Sequence, residues 1–205
     1  MRRTWFLGAA VASSLLLAGC SAPAATSSSS AAASASAPAS TPSSASASAA
    51  PSASATPQGS GRVIAGTGYR YTVPKGWGIP KTDVDTSSVD SLAADLDDTD
   101  GFADNVNVIV VKTGDVTPAQ IEAQGPQQLK SAGATGVAVR DRVTIAGTES
   151  AHLTALQKGG TYRVDQFYVI RKGEGYIITF SFSPKLSQAD RDDLSRSVLS
   201  TWTWS

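Results

Sequence analysis

Hydrophobic and polar positions divide this chain into three stretches of different character. Trp5 to Leu17 is predominantly apolar over 13 residues, and residues 21–60 then carry no large apolar side chain. From Gly61 onward, apolar positions recur at the spacings of strands and helices. The pattern therefore predicts a single folded domain over residues 61–205, preceded by a leader and a linker.

Alternating apolar positions predict strands along much of this domain. In the run Asn105–Lys112, Val106, Val108 and Val110 share one side, which is the period of a strand. An aromatic strand is predicted earlier, over Gly68–Pro74. Later alternating runs are separated by short glycine-bearing links, which indicates an antiparallel meander of hairpins. Its four strands are predicted at Val137–Ile145, Glu149–Gln157, Thr161–Arg171 and Tyr176–Ser183.

The first of two helices is predicted from its capping residues. Thr117 and Gln120 have the spacing of a capping box, and Pro118 stands at the first helical position. This helix should extend to about Ser131, because Gly133 follows it.

A second helix is predicted near the end of the chain, with Ser187 as its cap and an apolar stripe formed by Leu194, Val198 and Leu199. The later strands carry apolar residues on both faces, so both faces of their sheet should be covered. The sequence thus predicts an α+β fold. Its central antiparallel β-sheet is expected to be flanked by helices on both faces, as an α-β-α sandwich.

The beginning of the chain has the layout of an export signal. Arg2 and Arg3 precede the apolar stretch, which is too short to span a bilayer as a helix. The stretch ends in Leu-Ala-Gly-Cys at Leu17–Cys20, which resembles the bacterial lipobox. The resemblance implies a signal peptide over residues 1–19 that is cleaved before Cys20, a diacylglycerol on the Cys20 thiol and usually an acyl group such as palmitate on its amino group. The alternative is an ordinary secretory signal with Cys20 as an incidental residue, and the export route, Sec or Tat, is open.

Residues 20–60, which begin at the lipidated cysteine, are predicted to form a disordered tether. Residues 21–60 comprise 15 Ser, 15 Ala, 5 Pro, 3 Thr, one Gln and one Gly, with no charge. Such a segment buries too little apolar surface to fold. As a flexible coil it spans roughly 35 Å root-mean-square. The domain is therefore expected on a tether at the extracytoplasmic face of the cell membrane.

Charge and composition exclude several classes of function. From Gly61 onward there are 15 basic and 17 acidic side chains, a net charge of −2, which argues against nucleic-acid binding. One Cys and one His in the chain exclude most zinc sites, disulfide scaffolds and Cys-His catalysis.

His152 shares the polar side of its predicted strand with Ser150 and Thr154, and no Gly-x-Ser-x-Gly motif of a serine hydrolase is present. We therefore expect a solvated or helix-covered histidine.

The acidic segment from Asp83 to Asp104 raises the question of a cation site. An EF-hand loop that begins at Asp95 needs glycine at its sixth position and glutamate at its twelfth. This chain has Asp100 and Val106 there, so the register fails. A solvated acidic loop is predicted, with no metal ligand and no cofactor assigned, and the sequence leaves cation binding by residues 83–104 open.

Large aromatic residues are expected mainly in the core, because they bury more apolar area than other side chains. Trp77 and one of Trp202 and Trp204 are predicted to be buried. Phe102 is expected to hold the acidic loop against the domain.

The order of elements over residues 66–204 resembles a known family. An aromatic strand leads into Pro-x-Gly-Trp at Tyr69–Trp77, and Gly-Phe precedes an Asn-rich valine strand at Gly101–Val111. A Pro-capped helix, a meander and a closing helix before a tryptophan come next. These features are similar to the PsbP/Mog1-type fold and, more narrowly, to the LpqN-type lipoproteins of actinomycetes. The resemblance implies a sheet between helices and a binding or accessory role, with no catalytic residue to carry over.

Together these features favour a membrane-anchored extracytoplasmic lipoprotein, which acts as a non-enzymatic accessory or partner-binding module of the cell envelope. Its expected contacts are the membrane, through the lipid on Cys20, and an envelope protein. Two alternatives are open. One is a carrier of a lipid or small ligand, and the other, less favoured, is a carboxylate-dependent hydrolase.

Overall fold

Two antiparallel sheets form the domain. The computed structural model describes residues 59–81 and 86–205, and the expected signal peptide, Cys20 and nearly all of the tether lie outside these ranges. The strands are β1 (Val63–Gly66), β2 (Tyr69–Thr72), β3 (Trp77–Gly78), β4 (Ser91–Asp95), β5 (Asn105–Lys112), β6 (Thr135–Ile145), β7 (Thr148–Leu156), β8 (Arg163–Arg171), β9 (Glu174–Phe182) and β10 (Thr203–Trp204). The seven-stranded sheet has the order β3-β4-β5-β9-β8-β7-β6, and the three-stranded sheet has the order β1-β2-β10.

The meander predicted from alternating residues is confirmed. Strands β6 to β9 succeed one another as antiparallel hairpins, and β5 has the bounds that its valine pattern predicts. The link between β8 and β9 is a tight two-residue turn. Lys172 and Gly173 both have positive φ, 53° and 77°, as in the primed turns that match the twist of paired strands.

Helix α1 (Pro118–Ser131) covers one face of the seven-stranded sheet. The predicted capping box is present, because the side chains of Thr117 and Gln120 bond each other's backbone N–H groups. Gly125 faces the sheet so closely that a Cβ there would lie 2.9 Å from Cδ1 of Leu153. The buried residues of this layer are Ile121, Leu129, Ala134, Ala151, Leu153, Ala155, Val164 and Tyr168.

Helix α2 (Gln188–Leu199) and the three-stranded sheet lie against the opposite face. Trp202, just after α2, stacks on Tyr69 and Tyr71 of β2 with ring centroids 4.4 and 5.4 Å apart. Aromatic stacking of this kind adds to the free energy gained by burying the rings. The core on this side also includes Ile64, Val73, Trp77, Val106, Val108, Phe167, Val169, Tyr176, Ile178, Phe180, Phe182, Val198 and Leu199.

The α-β-α sandwich expected from the sequence is present only in part. The structure is antiparallel β-sheet with two helices, but β1, β2 and β10 form a second sheet that the sequence pattern did not predict. This sheet and its aromatic residues cover much of the face that α2 was expected to cover. Strands β1, β3 and β10 escaped prediction because two to four residues are too short to display a period.

The described chain begins beside α2. The N–H of Gly59 donates to the carbonyl of Ser197 at 3.0 Å, and the N–H of Gly61 donates to the carbonyl of Val73 at 2.9 Å. In the parts of the chain that the structure describes, no helix combines the length and apolar character needed to cross a bilayer.

Candidate functional site

A groove lies between α2 and the β6 side of the seven-stranded sheet, and its volume is about 340 Å³. We name it the α2 groove. Pockets of this size fall at the small end of the range that binds organic ligands. Its polar lining is Arg140, Asp141, Thr144, His152, Asp192, Ser195, Arg196 and Ser200, and its apolar lining is Val143, Ile145, Phe167 and Leu199.

A β-bulge in β6 places two charged residues at the groove. The pairing of β6 with β7 shifts between Arg140 and Val143, so Asp141 and Arg142 together oppose a single residue of β7. Arg140 and Asp141 both line the groove. Arg142 instead donates to Glu122 of α1, at 2.6 and 2.8 Å, on the other face of the sheet. Bulges commonly redirect side chains in this way beside binding sites.

The base of the groove holds the chain's single histidine. His152 is 6% exposed and stacks on Phe167, with ring centroids 4.1 Å apart. Burial lowers the pKa of His152 to about 4, although the nearby carboxylate of Asp192 raises it. The imidazole is therefore neutral at pH 7. Its Nε2 makes no hydrogen bond to any described residue. The helix-covered histidine predicted from the sequence is confirmed, and the solvated alternative is wrong.

Charges of both signs surround the groove. Nη2 of Arg140 lies 3.6 Å from Oδ2 of Asp192, which is longer than a hydrogen bond, and both side chains are partly exposed. Asp192 also accepts a 2.7 Å hydrogen bond from Nε2 of Gln188. Asp192 is thus held by its own helix, whereas the Arg140 side chain has, within the described ranges, only the long contact across the groove.

A buried ion pair lies beneath α2, on the same side of the sheet as His152. Nε of Arg191 is 3.7 Å from Oδ1 of Asp165, and neither carboxylate oxygen of Asp165 has a hydrogen-bond partner among the described residues. Burial raises the pKa of Asp165 to about 6 and lowers that of Arg191, in both cases against the attraction of the partner. Helix α2 therefore packs over two buried charges, and their mutual attraction only partly offsets the hydration that each has lost.

The acidic segment forms turns. Backbone N–H groups of Asp97 and Asp100 donate to the carboxylates of Asp95 and Asp98, at 3.0 and 3.1 Å. Hydrogen bonds of this type stabilise loops without any ion. Within residues 59–81 and 86–205, no group of three or more His, Cys, Asp or Glu side chains is placed to hold a metal ion.

Asp104 and Phe102 connect the acidic segment to the rest of the domain. Oδ1 of Asp104 accepts a 2.7 Å hydrogen bond from the N–H of Ser183, at the end of β9. Burial raises the pKa of Asp104 to about 6, and the carboxylate of Asp100 adds to the shift. Phe102 is buried and stacks on Tyr162 at 5.6 Å, which confirms its expected role.

The tryptophans are placed as the sequence predicts. Trp77 and Trp202 are 7% and 3% exposed, whereas Trp204 is only partly buried, with Arg171 4.9 Å above its ring. Cys20, the one assigned site residue, lies outside the described residues, so its lipidation stays a prediction.

Sequence reasoning missed Arg140, Asp165, Arg191 and Asp192. These residues come from β6, β8 and α2, and their proximity depends on strand register and on where α2 lies. A local signal existed for one of them, because three consecutive charged residues interrupt the alternation at Arg140–Arg142.

No protein-family model matches the sequence, and no curated protein matches it either. Solved structures similar to this chain include the cyanobacterial PsbP of Synechocystis, at 14% identity and a TM-score of 0.48, over 67% of this chain and 87% of that one. LpqN of Mycobacterium tuberculosis, described as involved in cell envelope biogenesis, has 16% identity and a TM-score of 0.47, over 67% and 84%. The Ran-binding protein Mog1p of Saccharomyces cerevisiae has 13% identity and a TM-score of 0.39, over 64% and 79%.

Proposed function

We propose that this protein is a lipoprotein of the cell envelope, anchored through Cys20 at the extracytoplasmic face of the cell membrane. Its domain acts there as a non-enzymatic accessory or partner-binding module. The observation that carries the proposal is the succession of a basic start, an apolar stretch and Leu17–Cys20, followed by an uncharged tether. Acyl chains on one cysteine contribute about 0.8 kcal/mol per buried CH₂, enough for two or more chains to anchor the protein stably.

The tether gives the anchored domain its reach. A stretched segment of 40 residues extends at most about 140 Å, and a relaxed one about 35 Å. A domain held in this way meets partners in the envelope at a high effective concentration.

The domain also exposes large apolar side chains, since Ile79 is 57% and Leu96 is 44% exposed. Cδ1 of Leu96 lies 3.0 Å from where a Cβ on Gly78 would be, so Leu96 and Ile79 lie near each other at the β3 edge.

The anchor is tested by moving the cysteine. In Cys20→Ser the nucleophile is lost, and in Cys20→Ser with Ser30→Cys a thiol is restored ten residues away. We expect the unaltered chain to incorporate an alkyne-labelled palmitate, to begin at Cys20 by mass spectrometry, and to sediment with membranes. Both variants should lose the label and the membrane association. Labelling that survives in the second variant, or an unmodified Cys20, would refute the anchor.

The binding role is tested by crosslinking in cells of the native host. A photo-reactive amino acid is placed at Ile79 and, as a matched exposed apolar position on the opposite edge of the sheet, at Val139. We expect a discrete adduct from at least one position, and its loss in the Cys20→Ser background. Absence of any adduct from both positions would count against a partner-binding module.

One observation supports the alternative hypothesis of a ligand carrier, namely the α2 groove with its apolar and charged lining residues. The hydrolase hypothesis gains none. Asp141 and Asp192 both line the groove, but Asp192 already accepts from Gln188 and lies beside Arg140, which suits a fixed charge better than a proton-transfer group.

A further inference from the structure

We propose that the α2 groove binds a small monocarboxylate with a compact apolar body, whose carboxylate bridges Arg140 and His152 while the body lies against Phe167 and Leu199. This site goes beyond the proposed envelope role and does not depend on the anchor at Cys20.

Arg140 and His152 are direct neighbours across the sheet. They are register partners in the pairing of β6 with β7, and both line the α2 groove. Side chains directly opposite each other on one face have Cβ atoms about 4.5–5.5 Å apart. The two oxygens of one carboxylate can therefore meet both residues at once.

The Arg140 guanidinium has N–H groups that are available to donate hydrogen bonds to a ligand. The one ion pair or hydrogen bond of its side chain with a described residue is the 3.6 Å contact with Asp192, and the side chain is 41% exposed. A guanidinium carries five N–H donors in a planar fork that matches a carboxylate. Asp192 keeps its 2.7 Å hydrogen bond from Gln188 when Arg140 turns to a ligand, so the exchange leaves no orphaned charge.

His152 supplies the second contact. The residue lines the groove, and more than nine-tenths of it is buried. Its Nε2 is shielded from solvent and has no hydrogen-bond partner among the described residues, so the imidazole turns about its Cβ–Cγ bond to present this nitrogen to the ligand. A buried polar atom without a partner is costly, and a ligand oxygen that accepts from Nε2–H supplies the missing hydrogen bond.

The charge arrangement favours an anion over a cation. A cationic ligand would have to pair with Asp192, which Gln188 and Arg140 already engage, or with the exposed Asp141. An anion meets Arg140, whose side chain has, among the described residues, only the long contact with Asp192. The remaining cation of the groove, Arg196, already donates to Asp193 at 2.7 Å. The apolar side chains at the base then select a compact hydrocarbon body rather than a second charged group.

The single histidine provides the test. The full chain is labelled with ¹³C-histidine, purified in detergent with a tag that lacks histidine, and titrated with benzoate while the His152 imidazole signal is recorded. Benzamide, the neutral analogue, controls for partition into detergent. Arg140→Gln removes the proposed clamp, and Arg142→Gln is the matched control, because Arg142 lies on the other face of the sheet and pairs with Glu122.

We expect benzoate to shift the His152 signal saturably and benzamide not to do so. A bound carboxylate favours the imidazolium, so benzoate should move the titration of His152 to higher pH, and its affinity should rise as the pH falls from 7 toward 5. Arg140→Gln should weaken benzoate binding about tenfold or more, consistent with losing a charge-assisted bidentate contact, whereas Arg142→Gln should leave it unchanged. The proposal is overturned if benzoate fails to move the signal, or moves it equally in Arg140→Gln.

Discussion

Nε of Arg191 lies 3.7 Å from Oδ1 of Asp165, and their side chains are only 6% and 1% exposed. The guanidinium donates instead to groups at the start of α2, through a 2.8 Å hydrogen bond to the carbonyl of Leu186, just before the helix, and another to Oε1 of Gln188 in its first turn. The pair therefore brings two charges out of water without a direct hydrogen bond between them. Such an arrangement contributes little net free energy to folding, because the loss of hydration offsets the attraction between the two charges.

The first prediction concerns this pair. Arg191→Met leaves the Asp165 carboxylate buried without a partner, so it should lower the free energy of unfolding by about 3 kcal/mol. Asp165→Leu combined with Arg191→Met should recover most of that loss, because two apolar groups need no partner. Urea denaturation measures both. As a control, Asp193→Asn breaks the exposed pair with Arg196 and should cost about 0.5 kcal/mol or less. A double variant as unstable as the single one would contradict this account.

The second prediction concerns the pH dependence of stability. The folded-state pKa of Asp104, about 6, exceeds its ordinary value of 3.8, so the folded state holds this proton more tightly. The contribution is favourable below about pH 4 and is lost as the pH rises through 6. Asp104→Asn keeps an acceptor for the Ser183 N–H and removes the charge. It should raise the free energy of unfolding by about 1 kcal/mol at pH 7 and change it little at pH 4.

The measurement for Asp104 is chemical denaturation at pH 4, 5.5 and 7, with Asp115→Asn as the exposed control. The control should show no such pH-dependent gain. An equal gain for Asp104→Asn at pH 4 and pH 7 would mean that the charge of Asp104 is not the cause.

The third prediction concerns the close approach of β1 to β2. A Cβ on Gly66 would collide with the ring of Tyr69 and the carboxylate of Asp90. That carboxylate accepts from N and Oγ1 of Thr67, at 2.8 and 2.6 Å, so it cannot move away without losing both hydrogen bonds. Gly66→Ala should lower the free energy of unfolding by about 2 kcal/mol, as overpacking does.

The comparison for Gly66 is Ala65→Ser, which adds one atom at the neighbouring exposed position of β1. It should change the free energy of unfolding by less than about 0.5 kcal/mol. Thermal unfolding followed by tryptophan fluorescence suits both variants, because Trp202 stacks directly on Tyr69. A Gly66→Ala protein as stable as Ala65→Ser would show that β1 can shift freely.

Local chemistry in the sequence was enough to predict much of the fold. The capping box at Thr117, the cap at Ser187 and the alternation in β5 to β9 each involve residues within one element, and the structure confirms all of them. The three-stranded sheet escaped prediction, because β10 pairs with β2 across more than 130 residues of chain. Nothing in a two-residue strand indicates such a partner before folding.

The candidate site shows the same division. That His152 lies on the polar side of its strand followed from alternation alone. That His152 lines a groove opposite Arg140, with its Nε2 unpartnered among the described residues, followed from the bulge in β6 and the position of α2. Neither the bulge nor the position of α2 produces a repeating pattern of apolar residues from which it could be predicted.

By itself, the sequence determined the features that depend on composition and local spacing. These are the lipobox-like Leu17–Cys20, the uncharged tether, the elements of the meander and their caps, and a domain poor in residues for metal or thiol chemistry. Only the tertiary structure decided that strands and a tryptophan stack, more than a helix, cover the second face. It alone brought Arg140, His152 and Asp192 around one groove, because register and packing join residues that are far apart along the chain.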